Sequence, residues 1–171
     1  MNALTKHSNI ITSYSHSFQT PAKVEEKPVD IAGLALSVAN SIANGDAQEQ
    51  ECPVTNRFAP GCYIREMFAP AGTLIIGKVH ATEHFNILLK GKITVFTLEG
   101  EHTIEAPQTF TSLPGVQKVG FCHTDCIWQN IHPTQETDLE KIEAEVITET
   151  ENMTEVLSIL NKARGDLLCH G

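Results

Sequence analysis

Five turn signals at short intervals constrain the central part of this chain more than any other feature. They are Pro70-Ala-Gly72, Lys90-Gly91-Lys92, Glu99-Gly100-Glu101, Ala106-Pro107 and Pro114-Gly115. The segments between them are short and rich in Val, Ile, Thr and Phe, which is typical of β-strands. A helical interpretation would place Gly and Pro inside helices, at a cost of about 1 and 3 kcal/mol per residue. The pattern therefore predicts an all-β sandwich or barrel.

The predicted strands lie in a β domain that covers residues 57–134. They are Cys62–Phe68, Thr73–Val79, Phe85–Leu89, Ile93–Leu98, His102–Glu105, Thr109–Ser112 and Gln117–Asn130. The chain has 171 residues, of which 41% are hydrophobic. A chain of this length and composition can bury one core of ordinary size, so we expect one domain with appendages.

Two segments precede the β domain. Residues 1–29 are polar and lack periodicity, so we expect a flexible N-terminal arm. Residues 30–56 contain an amphipathic helix, which is capped by Asp30 and ends at Asn44, and then a linker. The polar face of this helix is small and uncharged, which favours packing against a protein surface over binding to an anionic membrane.

Two short amphipathic helices follow the β domain in a C-terminal appendage, residues 135–171. A capping box at Thr137-Asp138-Leu139-Glu140 begins the first helix, and the second extends from Asn152 to Arg164. The apolar stripes of these helices must be buried. The N-terminal helix can dock on its own barrel or on a neighbouring subunit, and together the three helices can build an interface in a homo-oligomer.

The charge and the distribution of apolar residues argue against several classes of partner and location. A formal net charge of −9 argues against nucleic acid as the main partner, because nucleic-acid-binding proteins usually carry a basic face. No segment approaches the roughly 20 consecutive apolar residues of a membrane span, and the N-terminus lacks the order of a signal peptide. We therefore predict a soluble protein that is intracellular at synthesis, with neither a signal peptide nor a transmembrane segment.

Several residues that can carry chemistry are predicted to be structural. The cysteines are Cys52, Cys62, Cys122, Cys126 and Cys169. Their odd number and the absence of a Cys-x-x-Cys pair indicate reduced thiols. Cys122 and Cys126 share a strand face and are predicted core residues, with metal ligation as the alternative. Trp128 is predicted to anchor the core or a subunit interface, with stacking on a ligand as the alternative. His132 is predicted to end the last strand in a structural role.

Polar side chains occupy alternate positions on two predicted strands between Gly72 and Gly91. Lys78 and His80 share a face of the first strand, and His84 and Asn86 share a face of the next. Because a turn connects the two strands, these four side chains can converge at one end of the barrel. A cluster of polar groups in such a mouth is typical of a binding site.

The spacing in this stretch resembles the first motif of the cupin family, whose members are small double-stranded β-helix or jelly-roll barrels. The family motif is a glycine, five residues, His-x-His, three or four residues, a glutamate, six residues and a glycine. The corresponding positions are Gly72, Lys78 in place of the first histidine, His80, His84 in place of the glutamate, and Gly91. The resemblance covers roughly residues 60–132.

The second cupin motif, Pro-x-Gly-x-x-His-x-x-x-Asn, is met only at its turn. Pro114-Gly115 supplies that turn with the proline one place late, Lys118 stands in the histidine position and Cys122 in the asparagine position. The resemblance implies a mainly β fold, namely a single cupin-type jelly-roll barrel with one N-terminal and two C-terminal helices. It also implies a dimer or another homo-oligomer.

A longer set of residues resembles small cupin-like proteins that are encoded by tailed bacteriophages. The matching segments are Glu83–Ile87, Ala106–Phe110, Leu113–Gly120, Trp128, Ile131–Thr134 and Glu136–Glu143. This resemblance implies a phage protein in the host cytoplasm or in the virion, with phage or host proteins as partners. It implies no particular reaction.

Three interpretations of the polar cluster stay open. Neutral imidazoles of His80 and His84 can ligate a divalent transition metal, Zn, Fe, Ni or Mn, if a further ligand completes the site. The same histidines can instead be hydrogen-bonded in a metal-free barrel. Lys78 and Lys118 beside them can bind a small anion such as a phosphate, a carboxylate or a nucleotide, because burial strengthens the attraction. The candidates for the further metal ligand are Glu83, His102, Cys122 and His123.

These interpretations lead to two functional hypotheses. In the first, the chain is a non-enzymatic phage-type cupin protein, structural or accessory, that binds a small anionic ligand or a host component. In the second, it is a metal-dependent cupin enzyme of the sugar isomerase or dioxygenase type, which uses His80 and His84. The missing cupin ligands and the additional helices favour the first hypothesis.

Overall fold

A computed structural model of the chain describes residues 28–168. Its elements are α1 (Ile31–Ala43), β1 (Val54–Ala59), β2 (Cys62–Ala69), β3 (Leu74–Ile76), β4 (Val79–His80), β5 (His84–Lys90), β6 (Lys92–Thr97), β7 (Gly100–Glu105), β8 (Gln108–Ser112), β9 (Val119–Cys122), β10 (Cys126–His132), α2 (Leu139–Val146), β11 (Ile147–Thr148) and α3 (Glu151–Leu168). The predicted fold class, mainly β with one N-terminal and two C-terminal helices, is confirmed. The predicted arm, apart from residues 28 and 29, and Cys169 lie outside the described residues.

The β domain contains two large antiparallel sheets. The five-stranded sheet has the order β1-β2-β10-β5-β8, and the four-stranded sheet has the order β3-β9-β6-β7. A third, two-stranded sheet pairs β11 with β4. One cluster of buried side chains joins the two larger sheets, since it takes residues from both; its members are Ala69, Leu88, Ile93, Val95, Cys122 and Cys126.

The helices bury part of their apolar stripes within the chain, whereas Leu139 of α2 and Leu157 of α3 stay exposed. Ala35 and Ala39 of α1 pack against Val156 of α3 in a second buried cluster. Ile142 and Val146 of α2 pack against Tyr63 of the five-stranded sheet in a third cluster. Helix α2 therefore lies against one end of the β domain. Among the described residues, no helix is long and apolar enough to cross a membrane.

The helix starts follow the side-chain caps. Asp30 begins α1 as predicted, because its Oδ1 accepts a hydrogen bond from the Gly33 N–H at 2.9 Å. The predicted capping box places the start of the next helix at Thr137, but the cap is Asp138. Its Oδ1 accepts from the N–H groups of Glu140 and Lys141 at 3.0 and 3.3 Å.

Long-range contacts divide two of the predicted strands, and two strands that the sequence did not predict, β1 and β11, are added. The run 73–79 is interrupted at Gly77, whose N–H donates to the Lys118 carbonyl at 2.8 Å. The run 117–130 is divided into β9 and β10, because the Thr124 and Asp125 side chains accept backbone N–H groups from Lys92 and Ala71 and form a turn. The end of the predicted linker, from Val54, belongs to β1.

Candidate functional site

The inner face of the five-stranded sheet arranges its side chains in rows across the strands, because residues paired in register point to the same face. The middle row is polar and consists of Asn56, Arg65, Asn130 and Asn86. The row on one side is apolar and consists of Val54, Met67, Trp128 and Leu88. The row on the other side contains Tyr63 and His132, with the His84 ring beside them. Along each strand, the inner face therefore changes from apolar side chains to polar ones.

Hydrogen bonds fix the amides of the polar row. Asn130 donates through Nδ2 to Asn86 Oδ1 at 2.9 Å, and Asn86 donates through Nδ2 to the Ser112 hydroxyl at 2.7 Å. Tyr63 donates its hydroxyl proton to Asn56 Oδ1 at 2.7 Å. Asn86 is 1% exposed, so these bonds satisfy polar atoms that water does not reach.

Three histidines converge next to this row. His80 ends β4, His84 begins β5 and His132 ends β10. The ring centroids of His80 and His84 are 4.1 Å apart, those of His84 and His132 4.6 Å, and those of His80 and His132 5.0 Å. One potential ligand nitrogen of each ring lies within 4.8 Å of the others.

Each of the three rings buries a nitrogen that has no hydrogen-bond partner within residues 28–168. These atoms are His80 Nδ1, His84 Nε2 and His132 Nδ1. His84 Nδ1 lies 3.0 Å from the Thr82 carbonyl oxygen. In the neutral ring this carbonyl selects the tautomer with the proton on Nδ1, which leaves a lone pair on the unpartnered Nε2.

Burial keeps the cluster uncharged. It is the main cause that lowers the pKa of His80 to about 3 and the pKa of His132 to about 4, and the neighbouring histidines add to the effect. Burial also lowers the pKa of His84. The three imidazoles are therefore neutral near pH 7, which is the form that ligates a metal.

The donor set fits a divalent transition metal. Catalytic zinc sites use three protein ligands and keep a further position open, and three histidines are one such set. Imidazole also suits iron and nickel. A buried polar atom without a partner costs about 1–3 kcal/mol, and the three unpartnered nitrogens are the atoms that a metal would satisfy. In metalloproteins a ligating histidine commonly donates its second ring N–H to a carbonyl, as His84 does to Thr82.

A cavity of about 510 Å³ adjoins the cluster. All five residues that the sequence predicted as ligand-binding line it, so the structure brings them together; they are Lys78, His80, His84, Asn86 and Lys118. Their surroundings differ. Lys78 forms an ion pair with Glu143 of α2 at the exposed rim, and Asn86 is held by the amide row.

Lys118 and Arg65 are the two cations of the cavity that have no carboxylate partner among residues 28–168. Both are half-buried, and burial lowers the pKa of Lys118. Both positive charges also lower the pKa of His80. Both cations therefore share the cavity with the three histidines.

None of the four sequence candidates for a further metal ligand joins the cluster. Glu83 and His102 are exposed, and Cys122 is buried in the core. His123 Nε2 lies 2.7 Å from the Thr94 hydroxyl. The third member is His132, for which the sequence predicted a structural role.

An available sequence signal points to His132 and Arg65. Strand alternation that starts from the core residue Cys126 places Trp128, Asn130 and His132 on the inner face. The same alternation in β2 places Arg65 on the inner face with Tyr63. Alternation therefore gives the face on which each side chain lies, but not its neighbours across the sheet.

Solved structures similar to this chain include cupin proteins. A cupin-2 domain-containing protein from Shewanella frigidimarina is 16% identical, with 56% of this chain and 91% of that chain covered and a TM-score of 0.41. Salicylate 1,2-dioxygenase from Pseudoaminobacter salicylatoxidans is 11% identical, with coverages of 80% and 42% and a TM-score of 0.48. An HTH_3 family transcriptional regulator from Vibrio cholerae is 16% identical, with coverages of 50% and 52% and a TM-score of 0.42.

The chain thus spans about half the length of the regulator and less than half of the dioxygenase. No protein-family model matches the sequence, and no curated protein is significantly similar to it.

Proposed function

We propose that the protein binds a small anionic ligand in the cavity beside a divalent transition metal held by His80, His84 and His132. The observation that carries the proposal is the convergence of three histidines, each of which buries a ring nitrogen that has no partner within residues 28–168. Neutral imidazoles supply lone pairs but no charge, so the bound metal keeps its positive charge for a further ligand. When bound, the metal would act as a Lewis acid toward that ligand.

The residues of the cavity favour binding over acid–base catalysis. Among the described residues that line it, Glu143 is the one carboxylate, and its charge is paired with Lys78. The histidines have lowered pKa values, so they are poor proton donors near pH 7. A non-enzymatic binding role is therefore the main proposal, and a metal-dependent enzyme is the second candidate, which the open metal position favours.

The biological setting is a finer part of the same proposal. The sequence resemblance supports an accessory or structural protein of a tailed bacteriophage that acts as a homo-oligomer, with host or phage proteins as partners. Mass spectrometry of purified phage particles tests this part, independently of the metal.

Metal analysis of untagged protein tests the proposed centre. Protein purified without chelators, or incubated with Zn, Fe, Ni or Mn salts and then desalted, should contain one metal ion per chain by inductively coupled plasma mass spectrometry. His132→Ala should lose most of it, because two imidazoles make an incomplete site. His123→Ala is the matched control and should keep its metal, since His123 contacts Thr94 instead.

Two results would contradict the metal centre. One is wild-type protein that retains no metal after incubation with any of the four salts. The other is His132→Ala protein, folded by circular dichroism, that retains as much metal as the wild type.

A further inference from the structure

The charge that lines the cavity is opposite in sign to that of the whole chain. Three cationic side chains, Arg65, Lys78 and Lys118, and one carboxylate, Glu143, line it. Three positive charges and one negative charge leave a net charge of +2, whereas the chain carries −9. Because Lys78 and Glu143 form an ion pair, the excess charge belongs to Arg65 and Lys118.

The two cations approach the cavity from different sheets. Arg65 lies in the middle row of the five-stranded sheet, between Asn56 and Asn130 in register. Lys118 immediately precedes β9 of the four-stranded sheet. Within residues 28–168, neither side chain forms an ion pair, and neither donates a side-chain hydrogen bond to a protein atom. Cations without a protein partner are available to an anion that enters the cavity.

The rest of the cavity is suited to an apolar group. Its walls beyond the polar row include Met67, Ile75, Ile93, Val95 and Trp128. A volume of about 510 Å³ lies within the range of small-molecule sites, which are mostly apolar with a few polar groups that fix orientation. Such walls favour a ligand with one charged end and an apolar body over a nucleotide, which is polar along its whole length.

We infer that the ligand is an organic carboxylate whose charged group is bound between Arg65 and Lys118 and whose apolar body packs against Trp128. The inference rests on the proposed function of this cavity and adds the chemical class of its ligand. The planar fork of arginine matches a carboxylate, and lysine adds a second charge. The bound anion also offsets the repulsion that both cations exert on a divalent metal at the histidines.

Calorimetric titration with matched charged and neutral compounds tests the inference. Benzoate and hexanoate are compared with benzamide and hexanamide, which have nearly the same shapes without the charge. At least one carboxylate should bind the wild-type protein about tenfold or more tightly than its amide, as expected for a charge-assisted contact. The Arg65→Met/Lys118→Met variant should lose this preference. The Lys90→Met/Lys92→Met variant changes the net charge equally at exposed positions and should keep it.

Lys118→Met alone serves as a second variant if the double variant does not fold, and it should lose most of the preference. The inference is overturned if neither carboxylate binds saturably, if the amides bind as tightly as the carboxylates, or if a folded variant keeps the preference. Titrations of metal-loaded and chelator-treated protein separate the two proposals. Carboxylate preference in a protein that retains none of the four metals contradicts the metal centre alone, and retained metal without carboxylate preference contradicts the ligand class alone.

Discussion

The two ends of the space between the sheets are formed by the same strands, but they differ in how well their side chains are satisfied. At one end Leu88 and Cys126 are 0% and 1% exposed and belong to the main core cluster. At the other end His84 and His132 are 3% and 1% exposed, and each buries a ring nitrogen that has no partner in the described part of the chain. These side chains are buried at both ends. We call the first the packed end and the second, which leaves ring nitrogens unpartnered among residues 28–168, the unsatisfied end.

This difference separates the part of the β domain that stabilises the fold from the part that is available for a ligand. Along β10 the inner positions change from Cys126 and Trp128 to Asn130 and His132. Apolar burial at the first end contributes to stability, whereas the unpartnered nitrogens at the second end lower it. A site that costs stability in this way is typical of a functional region.

The largest expected effect comes from a substitution in the packed end. Leu88→Ala should lower the free energy of unfolding by about 3 kcal/mol, because the side chain is fully buried and its removal leaves a cavity. Leu89→Ala, its neighbour on the outer face, is the control; this side chain is 46% exposed and should cost less than about 1 kcal/mol. Urea unfolding monitored by circular dichroism gives both values. Equal losses would show that the packed end is not the stabilising one.

The fold could be predicted from local signals, because its turns are encoded by adjacent residues. The helix cap at Asp30 and the turn glycines are local in this sense. The interruption at Gly77 was not predictable, because it depends on the Lys118 carbonyl, which is distant in sequence. Strand boundaries that are set by such contacts have no signature in the segment itself.

The candidate site could be predicted only where its residues lie on one hairpin. His80 and His84 are four residues apart, and their convergence follows from alternation across a turn. His132 and Arg65 join them through the pairing of β10 with β5 and β2. Register between distant strands is set by the packing of the whole sheet, so their place in the site required the structure.

The second prediction concerns the unsatisfied end and its response to acid. The folded-state pKa values of His80 and His132, about 3 and about 4, lie below the ordinary value of 6.5. Between the lowered pKa values and 6.5, the unfolded chain binds more protons than the folded chain, so acid favours unfolding. The metal-free protein should be most stable above about pH 6.5 and should lose stability as the pH falls toward 4. Urea unfolding of chelator-treated protein across this range measures the loss.

His132→Leu separates this effect from general acid denaturation. The variant removes one titrating ring and one unpartnered nitrogen, so it should be at least as stable as the wild type at pH 7 without metal. Its unfolding free energy should depend less on pH, by up to about 1.4 kcal/mol per pH unit, the value for one proton. An unchanged pH dependence would mean that His132 titrates normally and that this end of the β domain is hydrated.

The smallest expected effect concerns the ion pair at the rim of the unsatisfied end. Lys78 and Glu143 connect the β domain to α2, but their side chains are 46% and 59% exposed, so water screens their attraction. A double-mutant cycle with Lys78→Met and Glu143→Gln should give a coupling of about 0.5 kcal/mol that decreases with added salt. The burial of Ile142 and Val146 of α2 against Tyr63 should hold the helix in place without the pair. A coupling above about 1 kcal/mol that salt does not weaken would instead show that the pair is dehydrated and closes the cavity.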